Sequence, residues 1–303
     1  MRILVALGGN ALLRRDQPAG AEAQQENVEI AARDLAAIAA AHELVVTHGN
    51  GPQVGLLALQ NAAYAAVDPY PLDVLGAESE GMVGYMLGVA LRNEMPERDI
   101  VTLLTEVVVD PDDPAFARPT KPIGPVYTRE EADLLASERG WTVAGDGHGC
   151  RRVVPSPEPS AIAELRTLRL LVDSGTLVIC AGGGGIPVTL SPAGTMKGIE
   201  AVVDKDLTSS LLARRLDADL LLMLTDVDAV QLDWGTDRAR PLHQTSPAEL
   251  REHSFPAGSM GPKVEAACRF VEATDGRAAI GQLKDAVAIV RGEAGTQVSA
   301  RPA

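Results

Sequence analysis

Five lysines, at positions 121, 197, 205, 263 and 284, stand against 22 arginines in this chain of 303 residues. In a composition tilted so far towards Arg, a retained Lys is a candidate for chemistry. An ammonium is a compact point charge that can follow a moving phosphoryl group, whereas a guanidinium is a planar fork. Lys205 lies between two carboxylates in Val202-Val203-Asp204-Lys205-Asp206. Spacing alone leaves two readings open there: an N-cap aspartate followed by a solvated lysine, or a phosphate-binding lysine whose position Asp206 fixes. Lys263 falls in the first turn of a helix opened by Gly258-Ser259-Met260-Gly261-Pro262-Lys263. The helix dipole disfavours a cation at that end by about a few tenths of a kcal/mol unless an anion joins it. Lys121 is held among prolines in Thr120-Lys121-Pro122-Ile123-Gly124-Pro125, where a stiff backbone would fix its reach.

Three glycine-rich turns, Gly8-Gly9-Asn10, Gly49-Asn50-Gly51 and Gly182-Gly183-Gly184-Gly185, each follow an apolar run of strand character. Taken singly, such a turn can serve tight geometry alone. Three at equivalent places in one sheet point to an anion site, because ligands of open α/β sheets bind beyond the carboxyl ends of strands and glycines let backbone N–H groups approach. None ends in Gly-Lys-Ser/Thr and none is a full GxGxxG, so this is phosphate chemistry of another kind. The five histidines (42, 48, 148, 243 and 253) have no zinc spacing, and neither a GxSxG elbow nor a Cys/His pair is present. His48 reads as a hydrogen-bonded turn residue rather than a general base. Tyr85 and Met86 sit at helical core spacing and read as packing residues.

The elements that must position these groups alternate along the chain. Residues 2–7, 43–47, 99–109, 176–181, 219–224 and 277–281 read as buried strands, and 22–41, 52–66, 76–95, 205–216 and 259–274 as helices. Short apolar strands alternating with helices predict an α/β fold with an open, mostly parallel central sheet sandwiched between helices. Residues 111–160 break the rhythm with prolines at 111, 114, 119, 122, 125, 155, 157 and 159. They read as a small protruding insert subdomain with one helical piece near 128–138.

With 27 basic and 41 acidic residues the formal net charge is −14, which argues against nucleic acid and anionic membranes as partners. Hydrophobic residues make up 46% and aromatic residues only 3%, so the core must be aliphatic. No window approaches the roughly 18 apolar residues of a membrane span. The opening run Met1-Arg2-Ile3-Leu4-Val5-Ala6-Leu7 reads as a first strand rather than a signal sequence. Cys150, Cys180 and Cys268 are odd in number and widely spaced, which suits a reducing, cytoplasmic setting better than a disulfide framework.

Eight ordered segments resemble the carbamate kinases of the amino-acid kinase family. They are Ala6-Leu7-Gly8-Gly9-Asn10-Ala11-Leu12, His48-Gly49-Asn50-Gly51-Pro52-Gln53-Val54-Gly55, Lys121-Pro122-Ile123-Gly124-Pro125 and Arg151-Arg152-Val153-Val154-Pro155-Ser156-Pro157. The series continues with Gly182-Gly183-Gly184-Gly185-Ile186-Pro187-Val188, Glu200-Ala201-Val202-Val203-Asp204-Lys205-Asp206, Leu224-Thr225-Asp226-Val227-Asp228 and Gly258-Ser259-Met260-Gly261-Pro262-Lys263. The likeness spans nearly the whole chain; the loop 145–150, including His148, and the end from Thr296 are less typical.

The resemblance implies reversible phosphoryl transfer, ATP + carbamate = ADP + carbamoyl phosphate, by a homodimer, with Mg²⁺ carried by the nucleotide rather than held by protein ligands. It implies an N-terminal carbamate-binding lobe (1–187, including the insert) and a nucleotide-binding lobe (188–303). Carried over, Gly8, Gly9, Asn10, Gly49, Asn50 and Gly51 line the carbamate and the transferring phosphoryl. Lys121, Lys205 and Lys263 neutralise phosphates, Asp206 holds the lysines, and Thr225, Asp228, Met260 and Lys263 lie along the nucleotide. Relatives acting on amino-acid carboxylates carry a first-strand lysine where this chain has Ala6, so Ala6 with Lys121 favours carbamate. A same-fold kinase for another small carboxylate or phosphate, and a non-catalytic carbamoyl-phosphate or nucleotide sensor, are the alternatives.

Overall fold

The computed structural model describes residues 1–13, 17, 20–64, 66–147, 149–256 and 258–301, the side chains of Asn10 and Ala11 excepted; His148 therefore lies outside the described residues. Eight strands form the central sheet, in the order Gln244–Thr245, Thr296–Val298, Arg277–Gln282, Leu220–Thr225, Arg2–Leu7, Glu43–His48, Leu177–Ile179 and Ile100–Thr102. Every neighbouring pair is parallel except Arg277–Gln282 with Thr296–Val298. The mostly parallel sheet expected from the strand–helix alternation is therefore present.

Strand composition explains why both faces are covered. In Arg2–Leu7 the side chains of Ile3, Val5 and Leu7 enter one apolar cluster, and Leu4 and Ala6 enter another. Strand Leu220–Thr225 divides in the same way, with Leu220, Leu222 and Leu224 on one face and Leu221 and Met223 on the other. A strand buried on both sides must be apolar at every position, so it reads as a continuous run rather than an alternation. Helix Ala21–Ala39 closes one face with Val28, Ala31, Ala32, Leu35 and Ile38, a stripe at helical spacing.

Three smaller sheets are formed among the described residues. Met196–Gly198, Ile186–Leu190, Glu106–Val109 and Pro159–Ile162 form a mixed four-stranded sheet, and Val230–Leu232 pairs with Arg240–Leu242. Lys121–Tyr127, Gly149–Val154 and Val143–Asp146 form an antiparallel sheet, with helix Arg129–Arg139 beside it. That helix carries a full capping box from Thr128 and Glu131 and ends on Gly140 in the left-handed conformation.

Several sequence expectations need correction. The run 99–109 is two strands, Ile100–Thr102 in the central sheet and Glu106–Val109 in the second sheet. Between them the Thr105 hydroxyl accepts the Ala181 N–H at 3.0 Å, a side-chain bond no periodicity encodes. Helix Leu72–Glu94 begins a turn earlier than expected. Tyr85 on that helix is 68% exposed and does not pack in the core, whereas Met86 packs partly against it. Helical spacing places a residue on a face but does not say how far the covered stripe extends.

Strand Lys121–Tyr127 is clamped to helix Gly51–Ala63 at a point where two glycines meet. A methyl group on Gly55 would sit 2.1 Å from Gly124 Cα. Gly124 itself has φ +72°, and its carbonyl accepts from Arg151 Nη2 at 2.7 Å. Because the obstacle is backbone, Gly55→Ala is expected to destabilise the fold by about 1–3 kcal/mol through overpacking. A urea midpoint equal to that of the wild type would show that the strand is free to move away.

Candidate active site

The three glycine turns meet at the carboxyl ends of adjacent strands. Gly8 N–H donates to Leu224 O at 2.8 Å and Gly49 N–H to Leu7 O at 2.9 Å, so each turn is pinned to its neighbour strand. A methyl group on Gly49 would lie 2.7 Å from Gly9 N, so the first two turns are in contact. Gly183, at φ +69°, lies against the Asn50 side chain, and Gly184, at φ +103°, against Val203 O. Left-handed backbone at two successive positions is what demands glycine there. Asn50 is buried and donates to Ser79 Oγ at 2.7 Å, and the Thr208 hydroxyl donates to Gly184 O at 2.9 Å.

The lysines converge on this floor. Helix Lys205–Arg215 is capped by Asp204, whose Oδ1 accepts the N–H groups of Asp206 at 2.9 Å and Leu207 at 3.3 Å. Its other oxygen meets Lys121 Nζ at 2.5 Å. Asp206, in the first turn, bridges Lys205 Nζ at 2.6 Å and Lys263 Nζ at 3.0 Å. The N-cap reading of Asp204 is correct, but the solvated lysine paired with it is not: Lys205 is buried. Lys263 occupies the first turn of helix Met260–Ala273, and Asp206 supplies the anion that offsets its unfavourable place on the dipole.

The electrostatics follow from burial and pairing. Burial pulls the Lys205 ammonium down from its ordinary value, and the charge of Asp206 opposes this. Burial pulls on Lys263 in the same direction, but Asp206 beside it and the charges of Asp204 and Asp226 leave it raised. Burial pushes Asp206 up, yet the two ammonium groups outweigh it and hold its carboxyl well below the usual range. Lys121, Lys205 and Lys263 are thus gathered by Asp204 and Asp206 into one cluster of ammonium groups.

Thr225 ends the strand beside Arg2–Leu7, Asp228 is exposed in the loop that follows, and Met260 opens the helix carrying Lys263. Asp228 Oδ1 accepts the Ala229 N–H at 3.0 Å. Asn10 lies within the short helix Gly9–Leu12, and its side chain lies outside the described residues. Thus the glycine turns, Lys121, Lys205, Asp206 and Lys263 come together at one end of the sheet. Among the described residues no group of three or more His, Cys, Asp or Glu is arranged to hold a metal. All three cysteines are buried and unpaired, and no described helix is long and apolar enough to cross a membrane.

One polar group under the site escaped the sequence reading. Glu80 is 1% exposed, and its Oε1 accepts the Gly182 N–H at 2.8 Å. The available signal was its place on the buried stripe of helix Leu72–Glu94 among Leu75, Ser79 and Val83, where an ionisable residue is costly unless it has work to do. His48 ends its strand fully buried, with Nδ1 3.2 Å from Gly49 O.

A mostly parallel sheet whose strand ends gather glycine turns around buried lysines defines an α/β phosphotransferase. Residues 1–282 match the amino acid kinase family. A carbamate kinase of Rhizobium meliloti (strain 1021) is 56% identical over 303 residues, covering 99% of this chain and 93% of the relative. One of Haemophilus influenzae is 55% identical over 300 residues, covering 99% and 97%. The solved carbamate kinase of Giardia lamblia bound to citric acid superposes with a TM-score of 0.92 at 42% identity, covering 98% of each chain. The chain belongs to the amino acid kinase family, and within it to the carbamate kinases.

Proposed function

We propose that this chain catalyses ATP + carbamate = ADP + carbamoyl phosphate, and that the cell uses it to make ATP from carbamoyl phosphate in arginine metabolism. The observation that carries the reading is the Lys205–Asp206–Lys263 bridge set against the glycine turns. In the ATP-forming direction the bond between phosphorus and the carbamate oxygen breaks while an oxygen of the ADP β-phosphate bonds to the same phosphorus. The transfer is direct and in line, with no covalent intermediate on the protein. Such a transfer asks the protein mainly for position and charge stabilisation.

Lys121 and Lys205 flank the moving phosphoryl, and Lys263 offsets charge on the nucleotide. The turns at Gly8, Gly9, Gly49 and Gly51, with Asn10 and Asn50, surround carbamate and phosphoryl, the Gly8 and Gly49 N–H groups holding the turns to neighbouring strands, while Thr225, Asp228 and Met260 line the nucleotide. On this reading residues 1–187 hold the carbamoyl side and 188–303 the nucleotide. Mg²⁺ comes with the nucleotide and neutralises its phosphates; Asp204 and Asp206 are engaged by ammonium groups, so phosphate oxygens and water are its natural ligands. The enzyme works as a cytoplasmic homodimer.

The test is ATP formation from ADP, Mg²⁺ and carbamoyl phosphate by the purified, folded chain. Rapid ATP formation is expected. Its absence, with activity appearing on another acyl phosphate, would replace carbamate by a different small carboxylate.

A further inference from the structure

Two buried polar atoms beneath the glycine turns have no hydrogen-bond partner among the described residues: His48 Nε2 and Glu80 Oε2. Leaving a buried polar atom unpaired is costly, so two together call for an explanation. Both flank Gly182. A methyl group there would lie 2.4 Å from His48 Nε2 and 2.9 Å from Glu80 Cγ.

Their hydrogen-bonding capacities are complementary. Gly49 O can only accept, so His48 Nδ1 carries the ring proton towards it, and Nε2 is left as a lone-pair acceptor. Burial holds the ring neutral, pulling its pKa down to about 4, with the Lys205 charge acting in the same direction. Glu80 Oε1 accepts the Gly182 N–H, so a proton on the acid belongs on Oε2. Burial pushes the carboxyl up to about 8. The groups facing it are the Gly182 and Thr105 N–H donors and the Thr105 hydroxyl, which favour its charge, and the Glu164 carboxylate, which opposes it. Buried Cys180 lies within electrostatic reach of both acids, and its thiol is pushed up by burial.

We propose that Glu80 is a positioning residue for phosphoryl transfer: a buried, neutral acid that holds Gly182 through Oε1 beneath the anion site. Glu80 fixes the start of the turn Gly182–Gly185, which packs against the His48 ring and the Asn50 side chain of the neighbouring turn, so the two turns share one geometry. The neutral form matters for a second reason. A carboxylate charge directly behind an anion site would repel the phosphoryl group that the lysines attract. The proposal rests on the phosphotransferase reading of this site, which Glu80 serves without touching the reacting atoms.

The experiment is the pH profile of kcat and KM for ATP formation in the wild type, Glu80→Gln and Glu80→Ala. It is paired with infrared detection of a protonated carboxyl stretch in the wild type and in Glu80→Gln. The side chain is neutral below about pH 8 and ionised above it, so wild-type kcat is expected to fall about tenfold per pH unit beyond about 8. Glu80→Gln cannot ionise and keeps both an acceptor and a donor. It is expected to hold neutral-pH turnover within about threefold of the wild type and to lose the alkaline fall. Glu80→Ala lets the turn shift and is expected to lose about 100-fold in kcat with a smaller change in KM.

An unchanged alkaline fall in Glu80→Gln would overturn the proposal and pass that limb to Lys205, whose ammonium is also lowered by burial. A wild type lacking a neutral-pH carboxyl band that Glu80→Gln removes would overturn it too, even if neither variant folded well enough to assay. A wild type that makes no ATP but shows the Glu80 carboxyl band would count against carbamate and leave the buried acid in place.

Discussion

Asp206→Asn is expected to lower turnover by about 100- to 1,000-fold and to destabilise the fold by about 3–5 kcal/mol. The side chain is buried and bridges two ammonium groups that are themselves largely buried. Asn has nearly the same shape but no charge, so Lys205 and Lys263 would be left as uncompensated like charges in one site. The usual outcome of removing one partner from a buried ion pair is an expensive stranded charge. The measurement is a urea unfolding midpoint beside a turnover assay, each with and without ADP. Added nucleotide phosphates should restore part of the lost stability by replacing the missing anion. A variant as stable as the wild type would mean that the lysines neutralise themselves by losing protons, and that Asp206 is not what keeps them charged.

Lys121→Ala is expected to separate the two effects. Its partner Asp204 is largely buried, but the Lys121 side chain is 31% exposed, so the ion pair is partly wet. Removing the lysine should change stability by under about 1 kcal/mol. Asp204 keeps its capping bonds to Asp206 and Leu207, so helix Lys205–Arg215 survives. Turnover should still fall by about 100- to 1,000-fold, because the lost charge is one the site presents to the moving phosphoryl. The contrast with Asp206→Asn is the informative part. Lys121 spends its charge on the reaction, while Asp206 both serves the reaction and holds the fold. Near-normal turnover in a folded Lys121→Ala would show that this lysine belongs to the insert's packing.

Both variants bear on how the site could be read from one chain. Lys121, Lys205 and Lys263 stood out in the sequence because of what surrounds them: prolines, flanking carboxylates, and a helix start where a cation is out of place. Asp206 stood beside Lys205, so an orienting role was legible, although a surface N-cap explained the same five residues equally well. What decided between them was burial. Lys263 is 57 residues from Asp206 and Lys121 is 83 from Asp204, and no local signal states that either pair will meet. Glu80 is further still, 102 residues from Gly182. Its place on an otherwise apolar helical stripe was a signal, but only the tertiary structure shows which turn it holds.

The sequence by itself determined the main apolar strands of the central sheet, the glycine turns and the parallel α/β class. Those depend on local preferences: apolar runs that can be buried on both faces, glycines that accept left-handed backbone, and a proline that suits a first helical turn. Only the tertiary structure decided that the run 99–109 would divide between two sheets, that Tyr85 would face outwards, and that two lysines would share one carboxylate. These outcomes depend on which elements become neighbours, because burial and charge pairing are set by groups brought from distant parts of the chain. A lysine's type is local, but its charge state and its partner belong to the site.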